Sequence, residues 1–257
     1  MNRSVTTDVV GRSHGRARIF RRPPKHCCNK LEAMGRDFSA IGHALSVPGR
    51  SAMIDVLMDG TARPAGELAS VARVSASTAS EHLAVLVAAG LLRVERAGRQ
   101  RLYSVADQHT ADALERLGQL CHEVPVNSLR QSRVQRDLAD ARMCYDHVAG
   151  RLGVDLFGAS MRLVWFDSDL RMTPAGHQAL DGMGVDVASV KSRRRPLART
   201  CPDWTQRRPH LAGALGAALA SVLMDNRWIA RRSGKRGLTV TSDGVEAFQR
   251  IWGLDPA

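Results

Sequence analysis

Cysteine and histidine recur together in the second half of this chain. Cys144 and His147 stand three residues apart, and Cys201, Asp203 and His210 follow at a related spacing. Read as helical, the first pair shares one helix face, and the second group lies before or at the start of a matching helix. Thiolate and imidazole are ligands for zinc-like ions, and paired thiols are redox-active, so a metal or redox site is one reading. A small-ligand pocket rimmed by Trp204, Tyr145 and Arg207 is a second. The third is structural, with both histidines capping helices and both cysteines acting as small buried hydrophobes.

A different chemistry gathers upstream. Ser75, Ala76, Ser77, Thr78 and Ser80 are small, and four of them carry hydroxyls. On a helix they face away from Leu83 and Leu86, and small hydroxyl side chains let such a helix approach a major groove closely. Arg96, Arg99 and Arg101 follow within a short segment and suit phosphate or minor-groove contact. The whole chain of 257 residues has 37 Lys+Arg against 25 Asp+Glu, a net +12, which makes a polyanion the first partner to consider. The alternative for these arginines is a soluble hairpin and nothing more.

The elements that would position these groups are legible. Ile41, Ala44 and Leu45, then Met53, Ile54, Leu57 and Met58, recur at helical spacing, with Pro48-Gly49 between them and Gly60 as a stop. Pro64 opens a third helix with Leu68 and Val71, and Ser75 caps a fourth from Ala76 to Ala89, closed by Gly90. Leu92–Arg96 and Arg101–Val105 alternate as strands joined through Ala97-Gly98-Arg99-Gln100. Helix, turn, helix and hairpin in this order make a winged helix-turn-helix.

The segment VSASTASEHLAVLVAAGLLRVERAGRQRLYSV resembles the ArsR/SmtB regulators, in Ser-x-x-x-Ser-x-His-Leu, Ala-Gly-Leu and Gly-Arg-x-x-x-Tyr. The resemblance covers residues 38 to 120 and implies a homodimeric repressor on near-palindromic double-stranded operator DNA. It implies dimerisation through the first helix and a helix from Asp107 to about Gln119, with Ala111, Leu114, Leu117 and Leu120 as its apolar stripe. Glu81 departs from the family, where a basic or amide residue is usual; a carboxylate there suits only a cytosine amino group. His82 matches the family's His-Leu pair and reads as a packing residue. One family metal site would fall on Pro64, Gly66 and Ala69, which cannot ligate. Another would fall on Asp107, His109, Leu120 and Glu123, of which Leu120 cannot ligate; Cys121 and His122 beside it offer a shifted site, which would take a divalent metal such as zinc. Asp107 is equally a natural helix cap.

The chain therefore reads as mainly α with small β-hairpins (α+β). Residues 1–36 form a basic tail, nine Lys/Arg against two acids, expected to be disordered; it is a DNA-binding arm, a solvated tail, or a segment preceding a true start at Met34. Residues 37–123 are the DNA-binding and dimerisation domain, 124–136 a linker, and 137–257 a C-terminal domain that modulates occupancy in response to an unidentified effector. That domain repeats: HVAGRLG at 147 returns as HLAGALG at 210, and LRMTPAG at 170 as LTVTSDG at 238. Each unit reads as helix, hairpin, helix, a winged-helix-like pair, and the run of Lys191, Arg193, Arg194, Arg195 and Arg199 between them reads as solvated.

Five scattered cysteines give no disulfide framework and no CxxC, and the uncharged stretch Leu211 to Met224 is too short to cross a membrane. The expectation is a cytoplasmic protein without a membrane partner. No GxGxxG, Walker loop, HExxH or GxSxG is present, so catalysis is set aside. An architectural, sequence-independent DNA binder remains the alternative to a sequence-specific regulator.

Overall fold

A computed structural model describes residues 37–121, 128–192, 194–232 and 236–255, and the basic tail lies outside them. Helix α1 (Ser39–Leu45) leads into α2 (Pro48–Leu57), whose first position holds proline, the residue that loses no hydrogen bond there. The buried Arg50 of α2 reaches back to the carbonyls of His43 and Ala44 and closes the end of α1. Strand β1 (Arg63–Pro64) precedes α3 (Ala65–Ala72), and α4 (Ala76–Ala88) follows a tight turn through Arg73, left-handed at φ 55°. Pro64 thus caps α3 from an extended backbone and pairs with Leu102, a contact the sequence does not foreshadow.

Strands β2 (Leu92–Ala97) and β3 (Gln100–Val105) form the wing, with β3 between β1 and β2, all antiparallel. The register sets Arg96 opposite Arg101 and leaves Gly98-Arg99 as a two-residue turn, with Gly98 at φ 61° as such a turn requires. Met53, Leu57, Leu68, Leu83, Leu86 and Tyr103 share one small core. Helix α5 (Gln108–Gly118) then packs Ala111 onto it.

The expected linker is helical from Leu129 onward: α6 (Leu129–Asp140) occupies its second half, while residues 122–127 lie outside the described set. The first repeat unit runs β4 (Arg142–Cys144), β5 (His147–Ala149), α7 (Gly150–Arg162), a Phe166–Met172 bridge, α8 (Pro174–Gly182) and α9 (Val187–Lys191). The second runs β6 (Arg199–Pro202), β7 (Pro209–Ala212), α10 (Gly213–Asp225), β8 (Ile229–Arg231), β9 (Leu238–Val240) and α11 (Ser242–Trp252).

The two units share their capping details. Thr173 and Thr241 each cap a helix by accepting from the glycine amide three residues on, and each donates to a carbonyl of the preceding turn. A Cβ on Gly176 or Gly244 would come within 2.1 or 2.0 Å of a tryptophan carbonyl oxygen, so only glycine fits either position. The element order goes beyond the reading, however. Each unit contains the expected helix, hairpin and helix, α7 to α8 across the Phe166–Met172 bridge and α10 to α11 across β8–β9, but a further hairpin precedes them, and the unit lacks the helix-turn-helix that precedes the wing in the N-terminal half.

Residues Phe38–Ala257 form one compact unit. The Tyr145 amide donates to the Met58 carbonyl at 2.6 Å, and the Arg236 backbone carbonyl accepts from the Met143 amide at 3.0 Å. No helix among the described residues is long and apolar enough to cross a membrane.

Candidate functional site

Two clusters of functional side chains result, one exposed and one buried. The exposed one is the N-terminal turn of α4. Ser75 accepts from the Thr78 amide at 3.2 Å, and its hydroxyl lies 2.8 Å from that of Ser77 and 2.9 Å from that of Thr78. Ser80 donates back to the Ala76 carbonyl at 2.9 Å. Ser75, Ala76, Ser77, Ser80 and Glu81 are exposed and Thr78 is half-buried, while Ala79, Leu83 and Leu86 face the core. Hydroxyls and free amides at the positive end of a helix dipole form a surface suited to phosphate and base edges. Arg96, Arg99 and Arg101 are exposed on the wing and make no ion pair among the described residues, whereas Arg93 pairs with Glu95 and donates to Ser104.

The buried cluster sits where the two repeat units meet. Cys144 pairs across β4–β5 with His147, and Cys201 across β6–β7 with His210. The shared helix face expected for Cys144 and His147 is therefore replaced by a cross-strand pair: each strand has only three or four residues, too short for a period of two to declare itself. The two histidine Nε2 atoms lie 3.1 Å apart, and one donor atom from each of the four residues lies within 4.8 Å of the others. All four residues are buried.

Each histidine turns its other nitrogen to a carboxylate, Asp146 at 3.1 Å from His147 Nδ1 and Asp203 at 3.6 Å from His210 Nδ1. Arg195 binds Asp146, and Arg142 binds Asp203, so an Arg–Asp–His relay enters from either side. Burial disfavours charge on His147, but the Cys144 sulfur and the Asp146 carboxylate outweigh it and raise this imidazole to about 9. Burial and the His147 charge push His210 down to about 3. The Cys201 sulfur and burial push the Cys144 thiol up. Asp203 sinks to about 2 despite its burial, held by Arg142, Thr205 and the Gly150 amide.

The same relay reaches the winged helix. Arg142, fully buried beneath the Trp204 ring, binds Glu115 of α5 at 2.9 Å, and Arg236 binds the other Glu115 oxygen at 2.8 Å and Asp55 of α2 at 3.1 Å. Arg199, from the supposedly solvated run, binds Asp112 of α5, and Arg195 of that run binds Asp146; Arg193 lies outside the described residues.

Residues 45–95 match the family model described as a helix-turn-helix domain. Over 220 residues the chain is 37% identical to the uncharacterized HTH-type transcriptional regulator YdfF of Bacillus subtilis (strain 168), covering 84% of this chain and 97% of YdfF. The chain belongs to the HTH-type transcriptional regulators. HTH-type transcriptional regulator CmtR of Mycobacterium tuberculosis (strain ATCC 25618 / H37Rv) is 39% identical over 80 residues, 31% of this chain and 67% of CmtR. The NMR structure of the cadmium metal-sensor CMTR from Mycobacterium tuberculosis is 36% identical, covers 35% of this chain and 92% of that one, and superposes with a TM-score of 0.29.

A match over 84% of this chain extends well past the winged helix, so the likeness to YdfF includes C-terminal sequence. Within it, the expected effector residues separate into roles. Cys144, His147, Cys201 and His210 converge, Asp203 supports His210, and Trp204 covers Arg142 and approaches Gly118 of α5. Trp204, Tyr145 and Arg207 do not line the cleft of about 210 Å³ between α6, α7 and β9, whose charged wall is Asp140, Arg151, Asp155 and Arg232.

The other expected metal residues are placed differently. Asp107 accepts from the Thr110 amide at 2.7 Å, and this backbone bond lowers its carboxyl, as an N-cap does. His109 is exposed beside it, and Glu123 lies outside the described residues. His82 packs against α2, its ring 3.4 Å from where a Cβ on Gly49 would stand. Sequence reasoning missed Arg142, Glu115 and Arg236. Glu115 carried a signal: it follows Ala111 by four residues, a charge set on the buried stripe of α5.

Proposed function

We propose that this regulator is a sequence-specific dimeric repressor, bound to near-palindromic operator DNA and released by a signal received in its C-terminal half. The observation that carries this reading is the exposed, hydroxyl-lined first turn of α4 beside a wing whose three arginines have no acidic partner among the described residues. Ser75, Ala76, Ser77, Thr78 and Ser80 then meet phosphate and base edges, Glu81 selects a cytosine amino group, and Arg96, Arg99 and Arg101 grip the backbone or the minor groove.

Dimerisation through α1 and α5 suits the apolar side chains exposed there: Phe38 just before α1, and Leu117 and Leu120 at the end of α5, 78% exposed in the last case. The protein acts in the cytoplasm on DNA and has no catalytic role in this reading. A divalent metal such as zinc is the candidate signal, favoured by the four converging thiol and imidazole donors. A set of Asp107, His109 and Glu123 shared between subunits is the other place for such an ion, and it competes with the capping role of Asp107.

Selection of genomic fragments by the purified full chain at physiological salt, followed by footprinting, tests the reading. One near-palindromic site retained against excess non-specific DNA is the expected result. Recovery of random fragments, the outcome favoured by the net +12 charge, replaces it with an architectural role.

A further inference from the structure

We propose that Cys144, His147, Cys201 and His210 form a closed tetrahedral site for one zinc-like transition-metal ion, buried on the pseudo-twofold axis between the two repeat units. Three observations converge on it. The first is the donor set: two sulfurs and two imidazole nitrogens, with one donor atom from each residue lying within 4.8 Å of the others. In a tetrahedral shell at ordinary zinc distances, two nitrogens stand about 3.3 Å apart and two sulfurs about 3.8 Å, so the 3.1 Å between the Nε2 atoms is already near its value. A set without oxygen disfavours calcium and magnesium.

The second is orientation. Both Nε2 atoms point into the cluster, and both Nδ1 atoms face carboxylates that arginines hold in place. A metal-bound imidazole needs such an acceptor for its other nitrogen, which fixes the tautomer and the ring plane. His210 Nδ1 is buried without a hydrogen-bond partner among the described residues, with the Asp203 carboxylate 3.6 Å away. The third is the cradle. A Cβ on Gly153 would stand 2.4 Å from the Val148 carbonyl oxygen and one on Gly216 2.7 Å from that of Leu211, so glycine lets each helix start close against its strand, where the facing histidine Cβ atoms lie at 3.6 and 3.3 Å.

Charge balance agrees. On binding, each thiol and the protonated His147 imidazole give a proton to solvent, and a divalent ion with two thiolates and two neutral imidazoles is neutral overall, the form that a dry interior tolerates. The relay from His210 through Asp203 and Arg142 ends on Glu115 of α5. Occupancy would therefore reach the helix through which dimerisation is proposed, a consequence that rests on the regulator reading above.

The test uses the full chain with Cys27→Ser, Cys28→Ser and Cys121→Ser, which leaves Cys144 and Cys201 as its only thiols. Reduced protein titrated with Co²⁺ should take up one ion per subunit with thiolate-to-cobalt charge-transfer absorption. X-ray absorption of the zinc form should give two sulfur and two nitrogen neighbours. Asp146→Asn, which removes the carboxylate charge behind His147 together with its Arg195 ion pair, should weaken binding about 10–100-fold. No cobalt uptake, a shell of nitrogen and oxygen alone, or uptake unchanged by a further Cys144→Ser and Cys201→Ser would overturn the proposal. None of these readouts involves DNA, so the site and the regulator reading fail separately.

Discussion

The winged helix and the C-terminal half treat polar side chains in opposite ways. On α4 and the wing, hydroxyls and arginines stand at the surface; the hydroxyls bond one another and their own backbone, and of the wing arginines Arg93 pairs with Glu95 while Arg96, Arg99 and Arg101 make no ion pair among the described residues. In the C-terminal half Arg142, Asp203, His147 and His210 are fully buried, and Glu115 of α5 and Arg236 nearly so; all are tied into one network. Exposed polar groups cost nothing to leave unpaired and are free for a partner, whereas buried ones are expensive unless every charge is answered. The first region is built to meet something outside the molecule; the second is built to hold a particular internal arrangement.

The strongest way to break this contrast is to remove the centre of the network. Arg142→Ala leaves Glu115 and Asp203 buried without their shared cation, and should destabilise the protein by about 3–5 kcal/mol in urea melts. Arg99→Ala on the wing should leave the melt within about 0.5 kcal/mol of the parent. Equal stability of the two variants would mean that the buried ion pairs are not holding the halves together.

Acid acts on the same contrast. Asp203, depressed from 3.8 to about 2, stabilises the fold above its unfolded value and loses that contribution, on the order of 2 kcal/mol, as pH falls toward 2. His210, depressed from 6.5 to about 3, acts in the same direction, and its contribution fades from pH 6.5 down toward 3. His147, raised to about 9, contributes below pH 6.5 and loses its contribution as pH rises through 9. Metal-free protein should thus be most stable between these limits. All four tryptophans lie in the C-terminal half, so their fluorescence reports this region and, through Trp204, its contact with α5. A tryptophan-monitored melt that is flat between pH 3 and 7 would refute the burial argument for the histidine pair.

How legible each region was follows from the same physics. The winged helix could be read because its helices run long enough to show a 3.6-residue period, its turns carry Gly90 and Gly98, and Ser75 announces the cap. The pairing of Pro64 with Leu102 could not, since a two-residue strand has no pattern. In the C-terminal half the repeat announced that His147 and His210 are equivalent, and the structure brings their Nε2 atoms to 3.1 Å. It could not announce the opening hairpins, whose strands of three and four residues look helical by spacing. Nor could it announce Arg142–Glu115, a contact across 27 residues between groups that composition assigns to the surface.

On the exposed side the contrast predicts losses in recognition rather than in stability. Ser77→Ala with Thr78→Ala should weaken operator binding about tenfold, within the 1–3 kcal/mol of a base contact, and leave non-specific affinity nearly unchanged. Arg99→Ala should weaken both and lower the slope of log K against log salt by about one. Competition binding at two salt concentrations separates them, and an equal loss from the helix variant on every sequence would remove base reading from α4.

The finest comparison uses three caps. Ser75→Ala removes a hydroxyl that accepts from the Thr78 amide and otherwise bonds only the Ser77 and Thr78 hydroxyls, which water can replace, whereas Thr173→Ala and Thr241→Ala each remove a hydroxyl that also donates to a backbone carbonyl of the preceding turn, Val164 or Arg227. A lost cap costs about 1 kcal/mol, and the second bond should place the two threonine variants toward the upper end of the 0.5–2 kcal/mol range. Because the repeat reproduces both bonds, the two threonine variants should agree within about 0.5 kcal/mol and exceed Ser75→Ala. Two threonine costs that differ by more than this would show that the units match in backbone without sharing energetics, and that the axis through the Cys/His cluster relates shapes alone.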